Sequence, residues 1–248
     1  MSPVTVERQG PVTRITLDQP ERANALSAAL VEALIVTIDE AIAERTRLLV
    51  LAGHGRSFCG GFDLSTLDDE TDASLAYRFL RIEQLLQRIH YAPCYTVALA
   101  HGTIAGAGAD LVAACARRIA TPDSRFRFPG LQFGVVLGTG RLMQLTGSRA
   151  RNLVLEQQTI PADEALDIGL VDTVATPEQW PELIATLSER ATLLPAVAAR
   201  RVMQFDRATG ERDLGILARS VSEPGLKTRM QGYWQQTRKP RRTERASI

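Results

Sequence analysis

The stretches SFCGGFDL at residues 57–64 and HGTIAGAGADL at residues 101–111 decide the fold of this chain. Each follows an apolar run that predicts a buried strand, Leu48–Ala52 before the first and Tyr95–Ala100 before the second. The second stretch leads directly into a helical pattern. Two such turns can direct two main-chain N–H groups at one oxygen atom, which suits chemistry in which negative charge develops on a carbonyl oxygen.

Composition predicts a folded globular protein. The chain has 248 residues, of which 45% are apolar and 23% are charged, so it can bury a sizeable core. A formal net charge of +1 gives no indication of nucleic-acid binding. Cys59, Cys94 and Cys115 are too few and too scattered for a disulfide framework or a zinc site, so we expect buried thiols in a reducing compartment.

The N-terminal residues and the hydropathy pattern indicate a cytoplasmic protein without a membrane span. Residues 1–10 carry Glu7 and Arg8 and lack the apolar segment of a signal peptide. No run approaches the roughly 18 apolar residues of a transmembrane helix.

Strands and helices alternate in the first part of the chain. A hairpin is predicted over 4–17, and Ser27 is a predicted N-cap for a helix that ends near Glu44. Further helices are predicted over 73–90 and 108–116, because apolar residues recur there at helical spacing.

Helices dominate the later part of the chain. Short strands are predicted over 125–128 and 170–174, and helical runs fill 178–234. This order predicts the α/β class with a helical C-terminal region.

Several familiar motifs are absent. Gly106-Ala107-Gly108 follows a strand, but the sixth position of a dinucleotide fingerprint is Leu111 instead of glycine. Gly55–Cys59 misses the nucleophile elbow because Cys59 replaces its last glycine, so Ser57 is a poor nucleophile candidate. The three histidines lack metal-ligand spacing, and we expect no metal.

Taken together, the motifs resemble those of the crotonase superfamily, also called the enoyl-CoA hydratase/isomerase family. The resemblance covers nearly the whole chain. It is carried by QPERANAL at 19–26, SFCGGFDL at 57–64, GTIAGAGADL at 102–111, PADEALDIGLV at 161–171 and QQTRKP at 235–240.

The resemblance implies a crotonase-like spiral of ββα units that binds an acyl-CoA thioester, with residues 1–190 as the core. Residues 191–248 would form a helical oligomerisation region that assembles a homotrimer or a dimer of trimers. The thioester oxygen would lie between the main-chain N–H groups of Phe62 and Ala107. The residues that would contact substrate are Arg22, Ala23, Gly61, Asp63, Leu64, Gly106, Gly130, Tyr233 and Lys239. No cofactor is implied beyond the coenzyme A of the substrate.

The chain departs from the family at the two glutamates of its hydratases. Asp110 stands at the first position and Gly130, after Pro129, at the second, and residues 124–155 contain no Asp or Glu. Hydration needs a water activated at C3 and a proton delivered to C2, which two carboxylates do well. Asp110 alone would hydrate poorly but could shuttle a proton in isomerisation. As a structural alternative, Asp110 occupies the first helical turn, where aspartate is favoured.

Three hypotheses about function stay open at this stage. The first is a lyase or isomerase acting on enoyl-CoA, with an oxyanion hole and Asp110 as its acid or base. The second is a non-catalytic acyl-CoA carrier, and the third is another enolate chemistry such as decarboxylation or thioester hydrolysis. His101, Gln132 and Thr139 are further polar candidates near the expected site.

Overall fold

Two β-sheets and a set of helices make up the part of the chain that a computed structural model describes, residues 2–203 and 207–238. The strands in this part are β1 (Val4–Gln9), β2 (Val12–Leu17), β3 (Leu48–Gly53), β4 (Tyr95–Ala100), β5 (Thr103–Ala105), β6 (Arg117–Ala120), β7 (Arg125–Arg127), β8 (Ile160–Pro161) and β9 (Thr173–Val174). The helices are α1 (Ala28–Ala43), α2 (Asp72–His90), α3 (Ala107–Ala114), α4 (Thr139–Thr146), α5 (Arg149–Glu156), α6 (Ala162–Asp167), α7 (Trp180–Leu193), α8 (Ala196–Met203), α9 (Arg207–Ser222) and α10 (Leu226–Arg238).

The larger sheet has six strands in the order β1-β2-β3-β4-β6-β9. β1 and β2 pair antiparallel, whereas the other neighbours pair parallel. The smaller sheet has the order β5-β7-β8 and lies beside the second glycine stretch, since β5 ends two residues before α3 begins. The predicted α/β class is therefore confirmed.

The central strands are buried on both faces because helices cover both sides of the sheet. Leu49 and Leu51 of β3 belong to the core cluster that contains residues of α1 and α3. Leu48 and Val50 point the other way and pack in a cluster with α7. Such two-sided burial explains the near-continuous apolar run of β3 in the sequence.

Local sequence signals place the ends of α1 and α2. Ser27 Oγ accepts a hydrogen bond from Leu30 N–H at 3.2 Å, as predicted for an N-cap. At the start of α2, Thr71 Oγ1 accepts from Ser74 N–H and Ser74 Oγ accepts from Thr71 N–H, which is a capping box.

The structure differs from the prediction after α3. The helix ends at Ala114, two residues before its predicted end at residue 116, and β6 follows at Arg117–Ala120, where the sequence predicted no strand. Parallel pairing with β4 forms this strand, and its buried Arg118 is satisfied by Asp172 at 2.7 Å. These partners are distant in sequence, so local periodicity does not reveal them. The strand predicted over 170–174 is likewise reduced to the two residues of β9.

The C-terminal helices pack back onto the core instead of extending away from it. α9 and α10 contribute Leu217 and Leu226 to a cluster with Leu75 and Phe79 of α2. Residue 190, the predicted end of the core, lies within α7. The assembly role of residues 191–248 stays a prediction. In the described part of the chain, no helix combines the length and apolar character that crossing a bilayer requires.

A buried ion cluster ties α2, α4 and α9 together. Arg141 of α4 donates to both carboxylate oxygens of Glu83 of α2, at 2.9 and 2.5 Å. Its guanidinium also lies 3.7 Å from Asp213 of α9, and these three side chains are at most 2% exposed. Asp213 additionally accepts from the Gly140 N–H at 2.8 Å, near the start of α4. The cluster thus sets the position of α4 relative to α2.

Replacing Arg141 by methionine is expected to lower the free energy of unfolding by about 3–5 kcal/mol, because Glu83 and Asp213 would become buried, uncompensated charges. Urea unfolding followed by circular dichroism measures the change. Arg88→Met is the control, since Arg88 pairs with Asp39, whose side chain is 53% exposed, and such pairs contribute about 0.2–1 kcal/mol. Equal losses in the two variants would contradict the assignment.

Candidate active site

The two glycine-punctuated loops touch each other. The Ala105 N–H donates to the Cys59 carbonyl at 3.4 Å. Gly61 has a φ of +95°, and an ideal Cβ built on it would lie 2.4 Å from the Ala105 carbonyl oxygen. Only glycine therefore permits this approach without a shift of the main chain. The predicted convergence of the two loops is present in the structure.

The orientation of the Phe62 amide follows from the peptide group to which it belongs. The Gly61 carbonyl accepts a hydrogen bond from Leu26 N–H at 2.7 Å. In a trans peptide the N–H points opposite to the C=O, and no cis peptide is found in the described residues. The Phe62 N–H therefore points away from Leu26, and it donates no hydrogen bond within the described residues.

The Ala107 amide is oriented in the same way by the start of α3. The Gly106 carbonyl accepts from Ala109 N–H at 2.8 Å and from Asp110 N–H at 3.1 Å, so it points along the helix. The Ala107 N–H consequently points out of the helix N-terminus, where no intrahelical acceptor exists. Its nitrogen lies 3.6 Å from the position of an ideal Cβ on Gly61. The two amides are thus neighbours.

Phe62 and Ala107 both line one small, mainly apolar cavity of about 100 Å³. Aromatic rings form much of its wall: Phe62 stacks on Phe79 at 4.5 Å between ring centroids, and Phe133 lies 5.1 Å from Tyr233. The cavity brings together most of the residues that the sequence nominated, namely Gly61, Phe62, Leu64, Gly106, Ala107, Asp110, Gly130 and Tyr233.

Asp110 is the one carboxylate that lines this cavity among the described residues. It is 5% exposed, and within that part of the chain no donor is hydrogen-bonded to its side chain. Burial raises the pKa of Asp110 well above its usual range, and the carboxylates of Glu83 and Asp213 raise it further, whereas Arg141 lowers it. Asp110 is therefore held toward the neutral acid.

Gly130 lines the cavity but leaves little room for a side chain. An ideal Cβ on Gly130 would lie 2.8 Å from the Val135 carbonyl oxygen. A glutamate could occupy this position only if the main chain moved. The sequence lacks a second carboxylate at this position, and the packing around Gly130 leaves no space for one.

Of the other polar candidates, only Thr139 lines the cavity. His101 does not line the cavity, and its Nε2 lies 3.0 Å from the Gly55 carbonyl oxygen; Gln132 is exposed. Within the described residues, no group of three or more His, Cys, Asp or Glu side chains could hold a metal ion.

Three further nominated residues, Arg22, Ala23 and Asp63, lie outside the cavity lining. Arg22 has a half-exposed side chain whose Nη1 is 3.5 Å from Asp63 Oδ2, and Asp63 Oδ1 accepts from Ser65 N–H at 2.9 Å. The Ala23 carbonyl accepts from Gly60 N–H at 2.8 Å. These contacts hold the loop of residues 19–26 against the first glycine loop. Lys239 lies outside the described residues.

Asn24 organises the same loops, although the sequence did not nominate it. Its side chain is fully buried, accepts from Gln19 N–H, and donates to the carbonyls of His54 and Ser57 at 2.9 and 2.8 Å. Cys59 Sγ donates to the Asn24 carbonyl, and burial raises the pKa of the Cys59 thiol to about 12. Cys59 is therefore a packed thiol, as expected.

The sequence also did not nominate the apolar cavity walls. Phe79, Phe128, Phe133, Leu142 and Val154 come from α2, α4, α5 and the segment after β7. An apolar residue at helical spacing gives no signal that distinguishes a cavity wall from solid core, so only the tertiary structure reveals them.

Comparison with known proteins agrees with this fold. The family model for enoyl-CoA hydratase/isomerase matches residues 7–215. A Mycobacterium tuberculosis protein named as a probable enoyl-CoA hydratase is 35% identical over 207 residues, which span 81% of this chain and 82% of that protein. A crystal structure of a Bordetella parapertussis protein assigned to the enoyl-CoA hydratase/isomerase class superposes with a TM-score of 0.92 at 42% identity, covering 97% of this chain and 100% of that one.

A relative with a different activity also matches. Ethylmalonyl-CoA decarboxylase of Mus musculus is 32% identical over 179 residues, which span 69% of this chain and 55% of that protein. The chain belongs to the enoyl-CoA hydratase/isomerase family, within the crotonase superfamily.

Asp110→Asn is expected to stabilise the protein increasingly as pH rises. An unfolded aspartate titrates near about 3.9, whereas the pKa of folded Asp110 is raised. Between these two values the folded protein holds the extra proton, so the stability of the wild type falls with rising pH. Asparagine has no such proton to lose.

Urea unfolding between about pH 5 and about pH 8 measures the difference in unfolding free energy between variant and wild type. The charged groups that face Asp110 are Arg141, Glu83 and Asp213, and they are the same in both proteins. The exposed Asp123→Asn is the control and should give a flat difference. A flat difference for Asp110→Asn as well would show that its pKa is not raised.

Proposed function

We propose that this protein binds an acyl-CoA thioester with its carbonyl oxygen between the N–H groups of Phe62 and Ala107, and that it stabilises the enolate formed there. The proposal depends on one observation. Phe62 and Ala107, whose N–H groups donate no hydrogen bond within the described residues, line a small apolar cavity together with the buried carboxyl of Asp110. Family membership and the acyl-CoA names of the relatives support it.

The two amides would act mainly in the transition state. Loss of a substituent at the α-carbon moves charge onto the thioester oxygen, and each preorganised donor at such an oxygen contributes about 3 kcal/mol. The positive end of the α3 dipole adds to this effect at Ala107. Because the donors belong to the main chain, phenylalanine and alanine can occupy these positions.

Asp110 would be the proton-transfer group at the α-carbon. A raised pKa makes the Asp110 carboxylate a stronger base than an ordinary aspartate, which suits a group that takes up and returns one proton. Hydration needs in addition a group that activates water, and Gly130 offers none. General acid–base help is worth roughly 10²–10⁴-fold per group, so we propose that hydration is slower than one-proton chemistry such as isomerisation.

Decarboxylation is the second candidate, favoured by the mouse relative and by the neutral character of Asp110. In that reaction the carbon–carbon bond to a carboxylate breaks, CO₂ leaves, and the electron pair remains as the enolate. The Asp110 proton then transfers to the α-carbon. No base is required, which fits a site with one protonated carboxyl.

The coenzyme A portion would extend from the cavity toward the loop of residues 19–26. Arg22, Ala23, Asp63 and Leu64 would line its path, and Tyr233 and Lys239 would contact it from the C-terminal region. The reaction needs no further cofactor, because the thioester itself carries the group that delocalises charge.

Turnover is tested on a panel of crotonyl-CoA for hydration, a 3-enoyl-CoA for isomerisation, an alkylmalonyl-CoA for decarboxylation and a saturated acyl-CoA for hydrolysis. Isomerisation or decarboxylation should exceed hydration. Asp110→Asn is expected to lose about 10²–10⁴-fold in kcat while acyl-CoA affinity, measured by calorimetry, is retained.

The exposed Asp123→Asn is the matched control and should leave both quantities unchanged. Tight binding of acyl-CoA without turnover on any member of the panel would establish the carrier hypothesis instead. Unchanged turnover in Asp110→Asn would remove Asp110 from the mechanism.

We further propose that the chain forms a homotrimer, alone or as a dimer of trimers, through the segment from the end of α7 through α8. Four apolar side chains there are between 54% and 83% exposed: Leu193, Leu194, Val197 and Val202. An apolar patch of this kind marks a protein–protein contact in soluble proteins. Closed symmetric assembly would bury three copies of it.

Sedimentation velocity of the full chain should give the mass of a trimer or hexamer, and Val197→Glu is expected to shift it toward the monomer because a charge would be buried in the contact. Val36→Glu is the control, since Val36 is 54% exposed on α1, away from the patch. A wild type that sediments as a monomer would refute the proposal.

A further inference from the structure

Arg78 of α2 is a buried cation beside Phe62, one of the two proposed oxyanion donors, and the proposed reaction assigns no role to it. It is 8% exposed, and its guanidinium carbon lies 4.1 Å from the centroid of the Phe62 ring. The next residue of the same helix, Phe79, stacks on that ring at 4.5 Å. Two consecutive residues of α2, Arg78 and Phe79, therefore pack against the Phe62 ring. The main-chain N–H of Phe62 is one of the two proposed donors.

The guanidinium also binds the main chain around that amide. Nη2 of Arg78 donates to the carbonyl of Asp63 at 3.0 Å and to that of Leu26 at 3.3 Å. Asp63 directly follows Phe62, and Leu26 is the residue paired with Phe62 in an isolated bridge. One nitrogen thus joins the segment that contains Phe62 to the segment at Leu26 that pairs with it.

The main chain by itself holds this pairing loosely. Of its two hydrogen bonds, Leu26 N–H to the Gly61 carbonyl is short at 2.7 Å, but Asp63 N–H to the Leu26 carbonyl is 3.4 Å long. Arg78 donates to carbonyls on both sides of the weaker bond. Hydrogen bonds from charged donors are roughly twice as strong as those from neutral ones.

The charge of Arg78 is balanced inside the protein. Its Nη1 donates to Glu70 Oε1 at 2.7 Å, and the Glu70 side chain is 15% exposed. Arg78 is not among the residues that line the cavity. Arg78 can therefore affect the rate of the reaction only indirectly, through Phe62 and the loop that contains it.

We propose that Arg78 is a positioning residue that fixes the Phe62 amide toward the thioester oxygen. This inference rests on the proposed function, because it assigns Arg78 to the preparation of that oxyanion hole. A donor that is 1 Å out of place can lose about 100-fold in rate. Loss of Arg78 is therefore expected to lower kcat more than it changes KM, since the hydrogen bond strengthens most in the transition state, where the oxygen carries the developing charge.

The test uses a readout that a merely structural role would not move. Saturated butyryl-CoA labelled with ¹³C at its thioester carbonyl binds without undergoing hydration. The infrared frequency of the bound carbonyl reports hydrogen bonding to its oxygen and should fall below the value in water. Arg78→Met is expected to lose most of this shift and about 100-fold in kcat.

Arg81→Met is the matched control. Arg81 lies one helical turn further along α2 and pairs with Glu32, whose side chain is 48% exposed, away from the cavity. It should keep the wild-type carbonyl shift and kcat. Arg78→Lys should fall between wild type and Arg78→Met, because one ammonium group cannot reproduce the fork that joins both carbonyls and Glu70.

Urea unfolding is run first on every variant, and Arg78→Met combined with Glu70→Gln removes the unpaired carboxylate if the single variant does not fold. A folded Arg78 variant with the full wild-type carbonyl shift, the lysine variant included, overturns the inference. A wild type that binds butyryl-CoA without any carbonyl shift overturns the proposed function and this inference with it.

Discussion

The site depends on one close contact, in which the main chain at Gly61 lies against the carbonyl of Ala105. A Cβ on Gly61 would lie 2.4 Å from that oxygen, so any other residue would push the two loops apart. The contact brings residues from two separate strand–loop units to the same cavity. Hydrogen bonds to the carbonyls of Gly61 and Gly106 then fix the direction of both N–H groups. Donors fixed in this way need no reorganisation when charge develops on an oxygen between them.

Near this contact, some buried ionisable groups in the described part of the chain are paired with a partner of opposite charge, and one is not. Glu83, Arg141 and Asp213 form a nearly fully buried cluster that fastens α4 to α2 and α9. The charges of this cluster act on the pKa of Asp110, although no donor within the described residues is hydrogen-bonded to the Asp110 side chain. Buried carboxylates nearby disfavour a further negative charge. Burial is the main cause that raises the pKa of Asp110; within the cluster, the two carboxylates add to the rise and Arg141 opposes it.

The elements with strong local signals were predicted well, and those formed by distant pairing were not. The hairpin of β1 and β2, the N-cap of α1 and the core strands β3 and β4 follow from patterns within a few residues. β6 escaped prediction because its residues RRIA carry two arginines, and its burial depends on Asp172, more than 50 residues away. For the site, eight of the nominated residues line one cavity, and six of these lie in the two glycine stretches. The roles of Asn24 and Arg78 depend on carbonyls that only folding brings within reach.

By itself the sequence determined the α/β class, the family, the two loops that meet and the lack of a second carboxylate, because each of these follows from the identity and spacing of neighbouring residues. Only the tertiary structure decided how narrow the cavity is, which way the two amides point, and that Asp110 lies beside a buried ion cluster. The physical reason is that volume, direction and electrostatic environment depend on atoms contributed by α2, α4 and α9. No local pattern specifies which of their side chains will face the loops.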